Sequence, residues 1–355
     1  MKKPQLGATD YLQLLFAASR GLATLTWAAS TGWARGDDYP KDYKKHVIYS
    51  TTRTMFNYIT VEQAQAAGGT TGDAYQDFCK KRKIEPEVVA LDEGGHGLML
   101  GAATAKKTVI WFHGGGYNLP ATPVHFEFFL RVIKQAKETG EELRVMMLEY
   151  ELAPHGMYPL QLKQAIAALR HMLNVGVKPS QIIIGGDSAG SNLTAALLGH
   201  LSHPKPGLPE VSLSENLGGV LFVSPWITFD QSAPAFTKNY YKDGLGLDAL
   251  KTWSDNFMGG TQPDNYNTPL DAPADWWKGI KVSDKDIAIV GGSNEVLVDD
   301  IREFKNHVKV NNPGLEYLEA TDEGHDALVM DRSFGLTGPL QSEDFCKKWL
   351  LARLK

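Results

Sequence analysis

The chain has 355 residues, with 36 basic and 41 acidic side chains, a formal net charge of −5 and a mean hydropathy of −0.25. That balance excludes a multi-span membrane protein and a mostly disordered chain, and it argues against a nucleic-acid partner, which calls for a basic face. The length accommodates two domains or one large α/β domain with an insertion.

At the N-terminus, Lys2 and Lys3 precede an apolar stretch, Tyr11–Ala18. Asp10 and Arg20 break the longer segment, which reads as an amphipathic helix covering something apolar. A signal peptide or peripheral membrane anchor is the alternative reading. Residues 1–85 carry no strong strand signal and read as helices and loops. Glu87–Leu91 and Gly97–Leu100 then form an antiparallel pair through the turn at Asp92–Gly95.

Beyond them, buried strands alternate with helices. Lys107–Phe112, Arg144–Glu149, Gln181–Gly185, Gly219–Val223, Asp286–Val290 and Leu315–Ala320 are short apolar runs with β-branched residues and two apolar faces. His125–Thr139, Leu160–Val175, Ala189–Leu201 and Ser342–Lys355 carry helical spacing. This alternation means an α/β fold with a mainly parallel sheet. Residues 226–281 interrupt it with 10 of the chain's 35 aromatics, a pattern that suits core packing or a lid over an apolar ligand. The chain therefore divides into 1–85 (N-terminal helical segment), 86–225 (core, first part), 226–281 (aromatic-rich insertion) and 282–355 (core, second part).

Two cysteines, Cys79 and Cys346, offer neither a zinc spacing nor a disulfide framework, which points to a reducing, cytoplasmic setting. Glycine is the outlier, at 35 residues against a usual ~7%, so its positions matter. Gly186-Asp187-Ser188-Ala189-Gly190 follows a buried strand and opens a helix. This Gly-x-Ser-x-Gly turn exposes a serine at the positive end of a helix, as a nucleophile requires. His113-Gly114-Gly115-Gly116-Tyr117 closes an earlier strand. Its bare backbone suits an oxyanion hole built from the N–H groups of Gly115 and Gly116, with Ala189 as third donor. His113 is expected to brace that loop.

A serine nucleophile needs a base, and a base needs a carboxylate to orient it. His325 follows the last strand, and Glu295 follows the one before it. Asp299 and Asp300 are expected to cap or hydrogen-bond the loop. Tyr117, Asp187 and Trp226 are expected to contact substrate.

Together these motifs resemble the hormone-sensitive lipase-like family of α/β-hydrolases. The resemblance covers roughly residues 105–335 and includes Tyr150-Glu151-Leu152-Ala153-Pro154 with Tyr158-Pro159. It implies an eight-stranded, mainly parallel sheet with helices on both faces and a two-part helical cap, to which residues 1–85 contribute and which 226–281 complete as an insertion. Three departures stand out. Glu151 and His155 occupy positions where the family carries arginine and glutamate. The acid is Glu295, where many relatives have aspartate. The first 85 residues match no family motif. In overall style the chain is similar to fungal members, some of which serve natural-product pathways.

The reading is a serine carboxylester hydrolase acting on a small to medium apolar or natural-product ester, with neither metal nor organic cofactor. Acyl transfer, cyclisation or product release would use the same triad. A non-catalytic receptor is the alternative of another class, disfavoured because Ser188, Glu295 and His325 are all present. A small-molecule ester or acyl compound is the expected partner, with no stable membrane insertion. A homodimer is left open.

Overall fold

The computed structural model describes residues 4–355; Lys2 and Lys3 lie outside the described residues. Twelve α-helices occur among the described residues: α1 (Ala8–Thr31), α2 (Tyr43–Tyr58), α3 (Val61–Gly68), α4 (Thr71–Arg82), α5 (Pro123–Glu138), α6 (Leu160–Asn174), α7 (Ala189–Ser202), α8 (Ala235–Lys238), α9 (Leu247–Met258), α10 (Val298–Asn311), α11 (Ala327–Ser333) and α12 (Gln341–Ala352). The strands are β1 (Glu87–Ala90), β2 (His96–Gly101), β3 (Lys107–Phe112), β4 (Leu143–Glu149), β5 (Ile182–Asp187), β6 (Gly219–Val223), β7 (Ile287–Gly292) and β8 (Glu316–Ala320).

They form one eight-stranded sheet in the order β1-β2-β4-β3-β5-β6-β7-β8. Strand β2 runs antiparallel to β1 and β4, and every other pairing is parallel. Burial on both faces explains the β-branched and apolar runs of β3 to β7, whereas β8, expected to be buried, is an edge strand that is largely half-buried. Ile110 and Phe112 join the core cluster of α6, α7 and α10, whereas Val109 and Trp111 join that of α5 and α12. In register, Phe112 faces Gly186, so the loops leaving β3 and β5 begin side by side.

Local signals set the helix starts. Thr60 and Gln63 form a capping box at α3, as Thr70 and Asp73 do at α4. Pro123 occupies the first turn of α5, where its missing N–H costs nothing. In the Tyr150–Pro154 segment, where the family's arginine is replaced, glutamine amides hold the backbone. Gln164 Oε1 accepts from the Glu151 N–H at 2.8 Å, and Gln161 Nε2 donates to the Glu151 carbonyl at 2.8 Å.

The N-terminal helices meet both the core and the 226–281 insertion. Tyr75, Phe78 and Cys79 of α4 pack with Trp111 and Phe126 in the main core. Helix α2 meets the insertion, where Arg53 Nη1 donates to the Asp243 carbonyl at 2.6 Å. One expectation needs correction: α1 is not amphipathic in the expected sense. Its buried residues are the small Ala17, Gly21 and Ala28, while its bulky apolar side chains, half-buried Leu14 excepted, are exposed.

Candidate active site

The strand β5 ends at Asp187, and α7 starts at Ala189. Between them Ser188 adopts φ 52° and ψ −117°, a strained conformation for a side-chain-bearing residue. The turn closes only because its flanks are bare. A Cβ on Gly190 would lie 1.8 Å from the Phe112 carbonyl oxygen, and one on Gly186 would lie 2.3 Å from the Gly190 carbonyl carbon.

Ser188 Oγ lies 2.8 Å from His325 Nε2, and His325 Nδ1 lies 2.9 Å from Glu295 Oε2. All three residues are buried. The other Glu295 oxygen accepts from Ser224 Oγ at 2.6 Å and from the Gly292 N–H. Burial disfavours the His325 imidazolium. The hydrogen bond and charge of Glu295, with the charges of Asp243 and Asp187, outweigh burial and raise the pKa above 6.5. Burial in turn pushes the Glu295 carboxyl above its ordinary range, against the pull of His325.

Opposite the serine, the glycine loop turns through left-handed backbone at Gly115, Gly116 and Tyr117, with φ of 100°, 60° and 62°. The N–H groups of Gly115, Gly116 and Ala189 donate to no acceptor among the described residues. Donors left open beside a serine can hold a developing oxyanion. Gly114 differs, because its N–H donates to Asp187 Oδ2 at 2.7 Å.

Asp187 also accepts from Trp111 Nε1 at 2.7 Å and lies 3.2 Å from His125 Nε2. Burial opposes its charge, but His125 and Trp111 hold its pKa below the ordinary value. It therefore ties the serine turn to the glycine loop. His113 braces the loop from behind. Its Nδ1 bonds the Gly114 carbonyl at 2.7 Å, its Nε2 meets Thr71 Oγ1 at 3.0 Å, and burial lowers its pKa to about 4. Asp299 serves elsewhere, accepting from the Ala235 N–H and from Arg302.

A cavity of about 260 Å³ opens onto Ser188 and His325. Its apolar wall includes Phe56, Leu119, Leu245, Trp253, Val329 and Met330. Asp187 reaches this cavity, but Tyr117 and Trp226 do not. Tyr117 is drawn into the core, where its ring stacks on Phe257 at 3.8 Å and its hydroxyl donates to Asn192 Oδ1 at 2.8 Å. Trp226 packs edge-on against Phe229 at 4.8 Å, and its carbonyl accepts from Asn192 Nδ2. Of the ten aromatics in 226–281, Trp253 alone lines the cavity; core packing accounts for the others except Tyr240 and the exposed Tyr241, whose rings face Arg53 of α2.

One buried residue escaped sequence reasoning. Asp243 Oδ1 accepts from the His325 N–H at 3.1 Å and from the Gly244 N–H at 2.7 Å, while Oδ2 accepts from the Val296 N–H at 2.8 Å. A single cap carboxylate thus fixes the backbone of both loops that present His325 and Glu295. No local motif marks it, since its partners lie 82 and 53 residues away in sequence.

With this geometry in place, a family profile described as alpha/beta hydrolase fold matches residues 109–329, more than half of the chain. The chain belongs to the α/β-hydrolase fold family. An acetyl-hydrolase of Streptomyces hygroscopicus is 29% identical over 198 residues, covering 55% of this chain and 60% of that protein. An esterase of Acinetobacter venetianus is 26% identical over 206 residues, covering 57% and 61%. The chain thus spans about 60% of the length of these relatives. Among solved structures, an esterase from the bacterial hormone-sensitive lipase family superposes with a TM-score of 0.63 at 22% identity, covering 95% of this chain and 98% of that one. Carboxyl esterase 2 from the fungus Tuber melanosporum gives 0.62 at 16% identity, covering 76% and 87%. This hydrolase fold agrees with the resemblance carried by the two glycine motifs. No group of His, Cys, Asp and Glu suited to a metal ion occurs among the described residues.

Proposed function

We propose that this α/β-hydrolase is a serine carboxylester hydrolase for small esters with an apolar acyl or alcohol group. The observation that carries the reading is the unbroken line from Ser188 Oγ through the His325 ring to Glu295, at 2.8 and 2.9 Å. In the reaction, Ser188 Oγ attacks the ester carbonyl carbon as His325 Nε2 takes its proton. The carbonyl oxygen becomes an oxyanion held by the N–H groups of Gly115, Gly116 and Ala189. Glu295 stabilises the imidazolium without taking its proton. His325 then protonates the leaving alkoxide, and an acyl-enzyme remains on Ser188. Water, deprotonated by the same imidazole, releases the acid.

The cavity supports the substrate class. Its volume of about 260 Å³ falls just below the usual ~300–1,000 Å³ range of ligand pockets, and aliphatic and aromatic side chains dominate its wall. The acetyl-hydrolase and esterase names of its relatives point the same way.

The test is turnover of a p-nitrophenyl ester series from acetyl to long acyl chains, alongside labelling by a fluorophosphonate probe. Wild type should hydrolyse the short esters best and label once, and Ser188→Ala should do neither. Turnover by Ser188→Ala at the wild-type rate would overturn the proposal.

A further inference from the structure

Helix α1 is built inside out for a helix in water. The close part of its contact with α2 is made by small residues: a Cβ on Gly21 would lie 2.4 Å from Met55 Sδ, and Ala17 and Ala28 are buried beside it, while at the rim one edge of the half-exposed Phe16 ring meets Tyr58. Its bulky apolar residues face outward. Tyr11, Leu12, Leu15, Phe16, Leu22 and Trp27 are each 56–71% exposed, and Trp33 just beyond the helix is 81% exposed. At about 100° per residue these six helix positions fall within a sector of about 160°.

Charge is missing from that sector. Asp10 and Arg20 lie outside or at its edge, and Arg20 reaches back over the Tyr58 ring at 5.3 Å. The hydroxyls on the same face turn inward to the helix's own carbonyls. Ser19 donates to Phe16 at 2.7 Å, Thr26 to Leu22 at 2.9 Å and Ser30 to Trp27 at 3.1 Å. The Trp33 indole N–H likewise donates to the Ser30 carbonyl at 2.8 Å. The face therefore offers apolar surface without charge and with its serine and threonine hydroxyl protons already placed.

We propose that this outward face of α1 is a docking surface for a lipid layer, on which the protein lies as a peripheral body. Small residues toward the neighbouring helix, bulky apolar residues outward and internally bonded hydroxyls are what a hydrocarbon environment selects. Tyr11 near one end and Trp27 and Trp33 at the other supply rings suited to the interface between headgroups and acyl chains. No described helix is long and apolar enough to cross a membrane, so the contact is one of lying on the surface. A second copy of the chain fits less well. The strip is about 36 Å by 10 Å, so two strips face to face bury only about 700 Å². A specific protein interface needs at least ~1,200 Å². The surface lies outside the Ser188 cavity, and its ligand is independent of the reaction performed there.

The test uses the full chain and vesicles of neutral phosphatidylcholine in a flotation gradient. Wild type should float with the vesicles, and high salt should not release it, because the face carries no charge. Leu12→Gln/Leu15→Gln/Leu22→Gln should lower partitioning at least about tenfold, with far-UV circular dichroism and thermal midpoint unchanged. As a second readout, brominated acyl chains should quench wild-type tryptophan fluorescence, and Trp27→Phe/Trp33→Phe should lose most of that quenching. Failure of wild type to float, or equal flotation of the triple variant, would overturn the proposal. So would a vesicle-free dimer, seen by light scattering, that the triple variant splits into monomers.

Discussion

Replacing Glu295 by glutamine keeps the side chain's size and removes its charge. The structure dictates how the amide must sit. One Glu295 oxygen faces two donors, the fixed Gly292 N–H and Ser224 Oγ, and the hydroxyl of Ser224 is itself engaged by the Asp326 N–H at 3.0 Å. The amide oxygen belongs there, so its NH₂ faces His325 Nδ1. The imidazole must then accept at Nδ1 and carry its proton on Nε2, toward Ser188, where a base is needed. Two losses follow. An ion pair with charge centres about 4 Å apart is worth about 4 kcal/mol at an effective dielectric constant near 20, or about three decades of rate. The wrong tautomer adds about one decade more, so kcat should fall roughly 10³- to 10⁴-fold with KM little changed. The pH profile provides an independent sign. His325 must be neutral to act, and its pKa lies above 6.5, so the acid limb of wild-type kcat/KM should lie above pH 6.5. Burial favours the neutral ring and Glu295 opposes it most strongly, so the limb should move to lower pH in Glu295→Gln. Steady-state hydrolysis of p-nitrophenyl acetate from mild acid to mild alkali measures both effects. Activity of Glu295→Gln within tenfold of wild type, or an acid limb that does not move, would refute this chain of reasoning.

Tyr117→Phe leaves buried Asn192 Oδ1 without its donor, so stability should fall by about 1–3 kcal/mol in urea denaturation while kcat/KM stays within about twofold. A large loss of kcat/KM would return Tyr117 to the substrate site. Asp243→Asn places an amide against one of three backbone N–H donors, so a lower thermal midpoint should accompany at least a tenfold loss of kcat. An unchanged kcat would deny Asp243 its positioning role. Trp253→Leu removes the ring that walls the cavity and should move the preferred acyl chain longer, read from the same p-nitrophenyl series. A profile that keeps its shape would place the acyl group elsewhere.

What could be read from the sequence was what the chain writes in short contiguous segments. The turn at Gly186–Gly190 declares itself because the steric conditions for a strained serine lie within five residues of one another. Buried strands declare themselves because apolar residues on both faces leave no other period. The positions of His325 and Glu295 follow from strand order, since each sits just past the end of β8 or β7. Features that depend on two distant segments meeting stayed hidden. Asp243 lies among cap residues with no motif, and its role exists only once the Glu295 and His325 loops converge on it. The cap aromatics were misleading for the same reason. Composition shows that 226–281 holds many rings, but only packing decides that Trp226 and Phe257 face the core while Trp253 faces the cavity.

Helix α1 shows the sharper limit. An apolar period reveals that a helix has a bulky face but not which way the face turns. That direction was settled by Gly21, whose bare Cα is the close-approach point to Met55 and fixes the small side inward. In a water-soluble packing, Leu12, Leu15 and Leu22 would have taken the inner side. Their outward placement means that α1 is held to the protein by small-residue contact together with a few ring and hydrogen-bond contacts, such as Phe16 and Arg20 on the Tyr58 ring and Gln63 on the Asp10 carbonyl, with most of its apolar surface left to an external layer. The inference can be pressed from the opposite direction. If the face evolved for lipid, replacing Gly21 with leucine should disturb the α1–α2 contact and thereby loosen α1, whereas replacing Leu22 with glutamine should leave that contact intact. Limited proteolysis within α1 separates the two: faster cleavage in Gly21→Leu with wild-type resistance in Leu22→Gln is expected, and the reverse order would mean that the bulky face, not the small one, holds the helix to the protein.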